Sequence, residues 1–247
     1  MSRGVVMAGW NDVPHIPVQE KKDLLRTIPP YQRDARTKGI PQLGRGAIFP
    51  IEETEITVEA FKIPKHWPRA YALDVGWKRT AALWGAYDRE ISTWYLYAEY
   101  YRGQAEPSVH ADAIKARGVW IPGCIDPAAR GRGQDDGKKL TDSYRDLGLD
   151  LTLADHAVET GIFDVYTGLS TGTIKVFSLL RSWLAEYRIY RRDELGRIAS
   201  TADHLMDCTR YLIRTGPEIM ITEPVDEGDL HAQQAAQARG RSKTGYG

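Results

Sequence analysis

The order of strand and helix patterns along the chain predicts an α/β fold whose mixed β-sheet is flanked by helices. Three neighbouring strand patterns with short polar links predict an antiparallel meander. Helical and strand patterns then alternate, which is typical of parallel strands joined by helices. We therefore expect one sheet that contains both antiparallel and parallel strands.

The composition of the chain fits a globular protein with one large core. Of its 247 residues, 42% are hydrophobic and 27% are charged, close to the averages for soluble domains. There is no run of about 18 apolar residues and no apolar N-terminal leader, so we expect a cytoplasmic protein that is neither secreted nor membrane-spanning. The 33 basic and 33 acidic side chains cancel, so a nucleic-acid partner must be argued from local features.

The ends of the chain differ from its middle. Prolines interrupt residues 1–69, and we predict an irregular arm there with one short helix near residues 19–26. Residues 223–247 are rich in Gln, Gly and Ala without apolar periodicity, which predicts a flexible tail. The folded domain is predicted to span residues 70–222.

Within this domain, each element follows from its pattern. The meander strands are predicted at residues 71–77, 80–87 and 93–101. Later strands are predicted at 119–125, 149–153, 173–177 and, at an edge, 197–199. Helices are predicted at 107–117, 138–147, 162–169, 179–187 and 201–214, the last of them stopped by the Gly-Pro pair at 216–217.

Two acidic residues lie in or directly after apolar strand patterns. Asp74 interrupts such a strand, and a carboxylate there is costly unless it is paired or binds a metal. The small neighbours Ala72 and Gly76 leave room for an ion and a phosphate. Asp126 follows the apolar run 119–125 and precedes a proline. Each residue also has a simpler interpretation, since Asp commonly caps or starts a turn.

A third acidic position lies in the last helix pattern. Asp203 and Asp207 are four residues apart and His204 lies three before Asp207, so a helix places all three side chains close together. Ser200 and Asp203 also match a helix-capping pattern, which would give Asp203 a structural role. Asp207 is therefore the stronger candidate ligand.

Three carboxylates from two strands and a helix suit Mg²⁺ or Mn²⁺, hard ions that prefer oxygen ligands. One or two such ions are expected, and a pair about 3.5 to 4 Å apart can promote hydrolysis of a phosphodiester. Cys124 and Cys208 show no zinc-binding spacing, and we expect both to be buried free thiols.

A segment rich in Gly, Arg and Asp follows Asp126. Its basic residues could contact DNA phosphates, and they are Arg130, Arg132, Lys138 and Lys139. The alternative is an exposed connection, since two acids offset part of the charge. The segment lacks the spacing of a nucleotide-binding phosphate loop, so the chain is not expected to hydrolyse ATP by itself.

Five segments together resemble the nuclease domain of tailed-phage terminase large subunits. They are Ala-Gly-Trp-Asn-Asp-Val-Pro-His at 8–15, the segment 30–41, Leu-Asp-Val-Gly-Trp at 73–77, Ile-Asp-Pro-Ala at 125–128 and Asp-His-Leu-Met-Asp-Cys-Thr-Arg-Tyr at 203–211. The resemblance covers roughly residues 8 to 215. The motif at the last segment usually has alanine where this chain has Cys208.

The resemblance implies a ribonuclease-H-like nuclease that cuts concatemeric double-stranded DNA with divalent ions. Carried over by motif, Asp74 is the first acid, Asp126 the second, and the third comes from the helix with Asp203 and Asp207, with His204 beside it. It also implies an N-terminal ATPase domain in the full-length chain, a portal protein and a small terminase subunit as partners, and action in the host cytoplasm during virion assembly.

Two other functions compete with this prediction. The chain could be a non-catalytic module that docks on the portal or on DNA. It could also be a nuclease that resembles Holliday-junction resolvases, although the segment 30–41 fits a terminase better.

Overall fold

The computed structural model describes residues 10, 15–27, 37, 46–130, 140–193, 195–199 and 203–224. Its helices are α1 (Val18–Thr27), α2 (Glu53–Ile56), α3 (Pro107–Lys115), α4 (Leu140–Asp146), α5 (Val158–Thr171), α6 (Arg181–Ile189) and α7 (His204–Ile219), with a 3₁₀ turn at Pro127–Arg130. Its strands are β1 (Gly46–Ala47), β2 (Thr57–Val58), β3 (Arg69–Asp74), β4 (Thr80–Asp88), β5 (Thr93–Arg102), β6 (Gly123–Ile125), β7 (Leu151–Leu153), β8 (Ile174–Phe177) and β9 (Arg191–Arg192).

Seven strands form one sheet in the order β2-β8-β5-β4-β3-β6-β7. Strand β4 is antiparallel to both of its neighbours, whereas the other pairs in this sheet are parallel. The predicted mixed sheet is therefore confirmed, with the meander β3-β4-β5 at its centre. Strands β1 and β9 form a separate antiparallel pair.

Two hydrophobic cores cover the two faces of the sheet. One contains buried side chains of α5, α6 and α7, including Ile162, Trp183 and Leu212. The other contains buried side chains of α3 and α4, including Ile114 and Tyr144. Because both of its faces are covered, strand β4 is buried almost throughout its length. The predicted buried free thiols are confirmed.

Helix α7 crosses the sheet and contacts β3, β4 and β6. It begins later than predicted, at His204, and it continues through Gly216 and Pro217 to Ile219. The predicted stop is wrong: the helix continues past Pro217 although that residue cannot donate a helical hydrogen bond. Gly216 packs against the ring of Trp94, where a Cβ would lie only 3.1 Å from the indole. The amide of Met220 closes this turn on the carbonyl of Gly216 at 2.9 Å.

Residues before position 70 also contribute to the sheet and to the core. Strand β2 pairs with β8, and Ile48, Phe49 and Ile56 are buried in the core beside α5 and α6. A two-residue strand has no period that a sequence pattern can reveal, so only its packing identifies it. The predicted helix near residues 19–26 is confirmed as α1.

Two later predictions also differ from the structure. Strand β6 is shorter than the apolar run before Asp126, since Val119 is exposed and the strand begins after Pro122. The predicted edge strand at 197–199 is a single bridge between Ile198 and Arg192. Residues 225–247 of the predicted tail lie outside the described residues. No helix in the described ranges has the length and apolarity needed to cross a membrane.

Candidate active site

Two of the predicted acids meet where parallel strands β3 and β6 end. Asp74 is the last residue of β3, and Asp126 directly follows β6. Leu73 and Ile125 are register partners, and the amide of Asp126 donates to the carbonyl of Leu73 at 3.0 Å. The topology therefore places the two acids side by side at one edge of the sheet. Asp126 also accepts a hydrogen bond from the amide of Ala128 at 3.0 Å, so it starts a turn as well.

Helix α7 brings a histidine to the same edge. The Nδ1 atom of His204 lies 2.7 Å from Oδ2 of Asp74. This hydrogen bond raises the pKa of His204 above its usual value, although burial opposes the shift. The pair links the first residue of α7 to the end of the central strand.

Asp207 lies one turn further along α7, with a side chain that is about three quarters buried. Burial raises its pKa to about 6, and the nearby charges of Asp203 and Asp74 act in the same direction. The buried guanidinium of Arg210 opposes the shift, since its Nη2 lies 2.6 Å from Oδ1 of Asp207. Asp207 is thus close enough to the other acids for their charges to interact.

Asp203 precedes the first residue of α7 but makes no capping hydrogen bond through its side chain. Burial raises its pKa, and the charge of Asp74 adds to that effect. Within the described part of the chain, its carboxylate forms no ion pair, although the charges of His204 and Arg210 and a hydrogen bond from its own backbone oppose the rise in its pKa. Helix capping therefore does not explain this residue.

The acids and His204 lie at one edge of the sheet, but their side chains do not form a complete set of metal ligands. In the ranges that the structure describes, no three Asp, Glu, His or Cys side chains converge tightly enough to hold an ion. His204 forms a hydrogen bond with one oxygen of Asp74, and Arg210 donates one to an oxygen of Asp207.

The predicted phosphate-binding residues lie at or beyond the end of a described range. Arg132, Lys138 and Lys139 lie outside the described residues, as does the side chain of Arg130. The backbone of Arg130 ends the 3₁₀ turn that follows Asp126.

Sequence reasoning missed Glu186, a buried acid that supports the site. The side chain of this α6 residue is only 3% exposed, and its Oε2 accepts hydrogen bonds from the amides of Leu205 at 2.6 Å and Met206 at 3.3 Å. It therefore caps the start of α7 from a neighbouring helix. A cap from another element leaves no local sequence pattern, so the structure is needed to find it.

Helix α6 is also capped by a carboxylate from another element. Glu99 of β5 accepts hydrogen bonds from the amides of Ser182 at 2.9 Å and Trp183 at 2.8 Å, at the start of α6. Both helix N-termini near the site are thus satisfied by carboxylates from a neighbouring element.

Asp155 is a further acid near this edge, two residues after β7. Its carboxylate forms an ion pair with Arg214 of α7, which also pairs with Asp164 at 2.6 Å. The hydrogen bond from Arg214 lowers the pKa of Asp155. These contacts give Asp155 a structural role, whereas Asp203 forms no ion pair in the described ranges.

No family model matches the chain. The chain is 32% identical over 222 residues to the terminase large subunit of Enterobacteria phage LP7 and, equally, to that of Salmonella phage P22. Each alignment covers 85% of this chain, but 46% of the LP7 protein and 44% of the P22 protein. The chain therefore spans less than half the length of these curated relatives.

The solved structures that this chain resembles are also phage large terminases. The structure of the P22 large terminase nuclease domain matches 74% of this chain and 97% of that domain, with a TM-score of 0.66 and 26% identity. The large terminase of a thermophilic bacteriophage matches 84% of this chain and 54% of its own, with a TM-score of 0.64. At 20% identity, that second match shows the fold alone.

Proposed function

The chain is a homologue of phage terminase large subunits with the ribonuclease-H-like fold of a terminase nuclease domain, and from this we propose that it is a divalent-metal-dependent endonuclease acting on double-stranded DNA. The observation that carries the proposal is the placement of four carboxylates at one sheet edge. Asp74 and Asp126 end adjacent parallel strands, and Asp203 and Asp207 lie at the start of α7 against them.

The donor set fits a hard divalent cation. Carboxylate oxygens dominate it, which favours Mg²⁺ or Mn²⁺ over softer metals. The charges of Asp74, Asp203 and Asp207 repel one another, and the nearby charges of His204 and Arg210 do not outweigh the burial that raises the pKa of Asp203. We propose that Asp74, Asp126 and Asp207 hold one or two ions, with Asp203 and His204 as further ligands or helpers. Such ions would neutralise phosphate charge and make water a stronger nucleophile.

The remaining contacts position these acids. The hydrogen bond between His204 and Asp74 fixes the orientation of both side chains at the end of β3. Arg210 holds one oxygen of Asp207 from a buried position in the next turn of α7. Glu186 anchors the first turn of that helix. These contacts hold Asp74, Asp207 and the first turn of α7 in place, as a site that positions a phosphate requires.

Plasmid cleavage tests the proposal directly. We expect the folded chain to convert supercoiled DNA to nicked and linear forms in Mn²⁺ or Mg²⁺. Cleavage should stop when EDTA is added and resume when excess ion is added back. The products should carry the ends that hydrolysis leaves, and they should form over time without ATP. Cutting that persists in EDTA, or a folded chain that cuts with neither ion, would contradict the proposal.

The two acids of α7 can be separated by matched substitutions. We expect Asp207→Asn to lower the cleavage rate by more than about 100-fold, because even the outer partners of metal ligands are worth about 10- to 100-fold. Asp203→Asn should cost only about 10-fold, as expected for a helper. Single-turnover rates in Mn²⁺ measure both effects. The opposite order of effects would make Asp203 the third acid.

The substrate and partners are proposed from the relatives. We propose that the DNA is concatemeric phage DNA, with Arg130, Arg132, Lys138 and Lys139 contacting phosphates. An ATPase domain would occupy the part of the longer relatives that this chain does not match, and the portal protein and small terminase subunit would be partners in the host cytoplasm. The coverage of under half of each relative supports a division of labour within a longer protein.

A further inference from the structure

The turn between β3 and β4 presents an aromatic ring beside the acids. Trp77 lies three residues after Asp74, and its side chain is 66% exposed. It makes no ring contact within the described ranges, whereas Trp84, Trp94 and Trp183 are buried in aromatic pairs. An exposed indole gives up the large stabilisation that burying such a ring provides. Its exposure next to the site therefore suggests a binding role.

The backbone of this turn is held rigidly. The amide of Gln104 donates to the carbonyl of Trp77 at 2.9 Å, and the hydroxyl of Thr80 donates to the carbonyl of Gly76 at 3.1 Å. A Cβ on Gly103 would lie 2.0 Å from the carbonyl oxygen of Lys78, so the segment after β5 packs directly on the turn. The ring is thus displayed on a fixed support, which lowers the entropy lost on binding.

Two cations accompany the ring. Lys78 is exposed, and the guanidinium of Arg79 lies 4.5 Å from the centre of the Tyr101 ring. Neither forms an ion pair with any acid in the described part of the chain. The edge that carries Asp74 and Asp126 would repel a phosphate backbone, so a substrate there needs nearby positive charge. Lys78 and Arg79 supply it at the end of the same strand.

We propose that this β3–β4 turn is a DNA-binding element, in which Trp77 packs against a deoxyribose or base while Lys78 and Arg79 contact phosphates beside the one that is cut. This inference rests on the proposed nuclease function. The partner is a nucleic acid because a rigid aromatic ring followed by two cations, neither of which forms an ion pair in the described ranges, matches the alternating apolar and anionic surface of DNA. Because Trp77 is only three residues from Asp74, its contact with DNA would lie next to the phosphate that is cut.

Binding of the full chain to a labelled 30-base-pair duplex in EDTA tests the contact without cleavage. We expect Trp77→Ala to weaken binding by about tenfold, within the range of single aromatic contacts to a base, and Trp77→Phe to restore most of it. Lys78→Ala and Arg79→Ala should each lower the slope of log affinity against log salt by about 0.9. Trp77→Ala should leave that slope unchanged, because the indole displaces no counterion.

Matched controls come from the turn at the opposite edge of the sheet, between β4 and β5. Ile91, which is 59% exposed, and Arg89 are exposed there. Ile91→Ala and Arg89→Ala should bind DNA as the wild type does. A Trp77→Ala protein that binds like these controls, or a wild-type chain that does not bind duplex DNA, would overturn the inference.

The two proposals fail in different ways. If the wild-type chain cuts plasmid in Mn²⁺ but all variants of the β3–β4 turn bind normally, the nuclease function stands and the DNA contact is wrong. If Trp77→Ala weakens binding but the folded wild type never cuts, the contact stands and the nuclease function is wrong.

Discussion

Replacing Asp74 by asparagine is expected to lower the rate of plasmid cleavage by more than about 100-fold. The substitution keeps the size of the side chain but removes the charge at the end of β3. That charge interacts with His204, and we propose that it binds the cation. Outer partners of metal ligands are worth about 10- to 100-fold, so a direct ligand should be worth more. Initial rates in saturating Mn²⁺ measure the loss.

The fold should survive this change, because asparagine can still accept a hydrogen bond from His204. Circular dichroism and the thermal midpoint check that point. Asp112→Asn is the matched control, since Asp112 is an exposed acid of α3 whose ion pair is with Lys115. It should cut at the wild-type rate. An Asp74→Asn protein that keeps more than a tenth of the activity would exclude a direct role for this carboxylate.

The second large effect concerns stability. Trp183→Ala is expected to lower the free energy of unfolding by about 3 to 5 kcal/mol, the range for removing a buried aromatic side chain. Trp183 is fully buried between α6 and α7 and stacks on Tyr187, with ring centres 5.0 Å apart. Its indole N–H donates to the hydroxyl of Thr209 at 2.8 Å.

Trp183→Phe separates the ring from the hydrogen bond. It keeps most of the apolar volume but removes the indole donor and part of the ring system, so we expect a loss of about 1 kcal/mol for the hydrogen bond plus a smaller packing loss. Urea unfolding measures both variants, and the alanine variant should also unfold at a midpoint roughly 10 °C lower. An alanine variant within about 1 kcal/mol of wild type would mean that this core repacks around the gap.

The parts of the fold that the sequence predicts correctly are those with a repeating pattern. The meander and the helices α5 and α6 have enough residues for their periods to appear. Strand β2 has two residues, and its place next to β8 depends on the burial of Ile56 rather than on any pattern. The continuation of α7 through Pro217 likewise depends on its packing against Trp94.

The acids that we propose for the site could be selected as candidates because apolar runs and helix spacing are local properties. Asp126 follows an apolar run, Asp74 interrupts one, and the spacing of Asp203 and Asp207 places them on adjacent turns. That β3 ends at Asp74, rather than at the predicted residue 77, is visible only in the structure. Their partners could not be predicted. The contact of His204 with Asp74 joins residues 130 positions apart, and the cap by Glu186 depends on how α6 lies against α7.

The two carboxylate caps connect the site mechanically to a strand that carries none of its acids. Glu99 joins β5 to the first turn of α6, and Glu186 joins α6 to the first turn of α7. The first turn of α7 carries His204 and Asp207, so any shift of β5 or α6 moves these side chains relative to Asp74. The alignment of the acids is therefore a property of three elements acting as one body, and not of α7 alone.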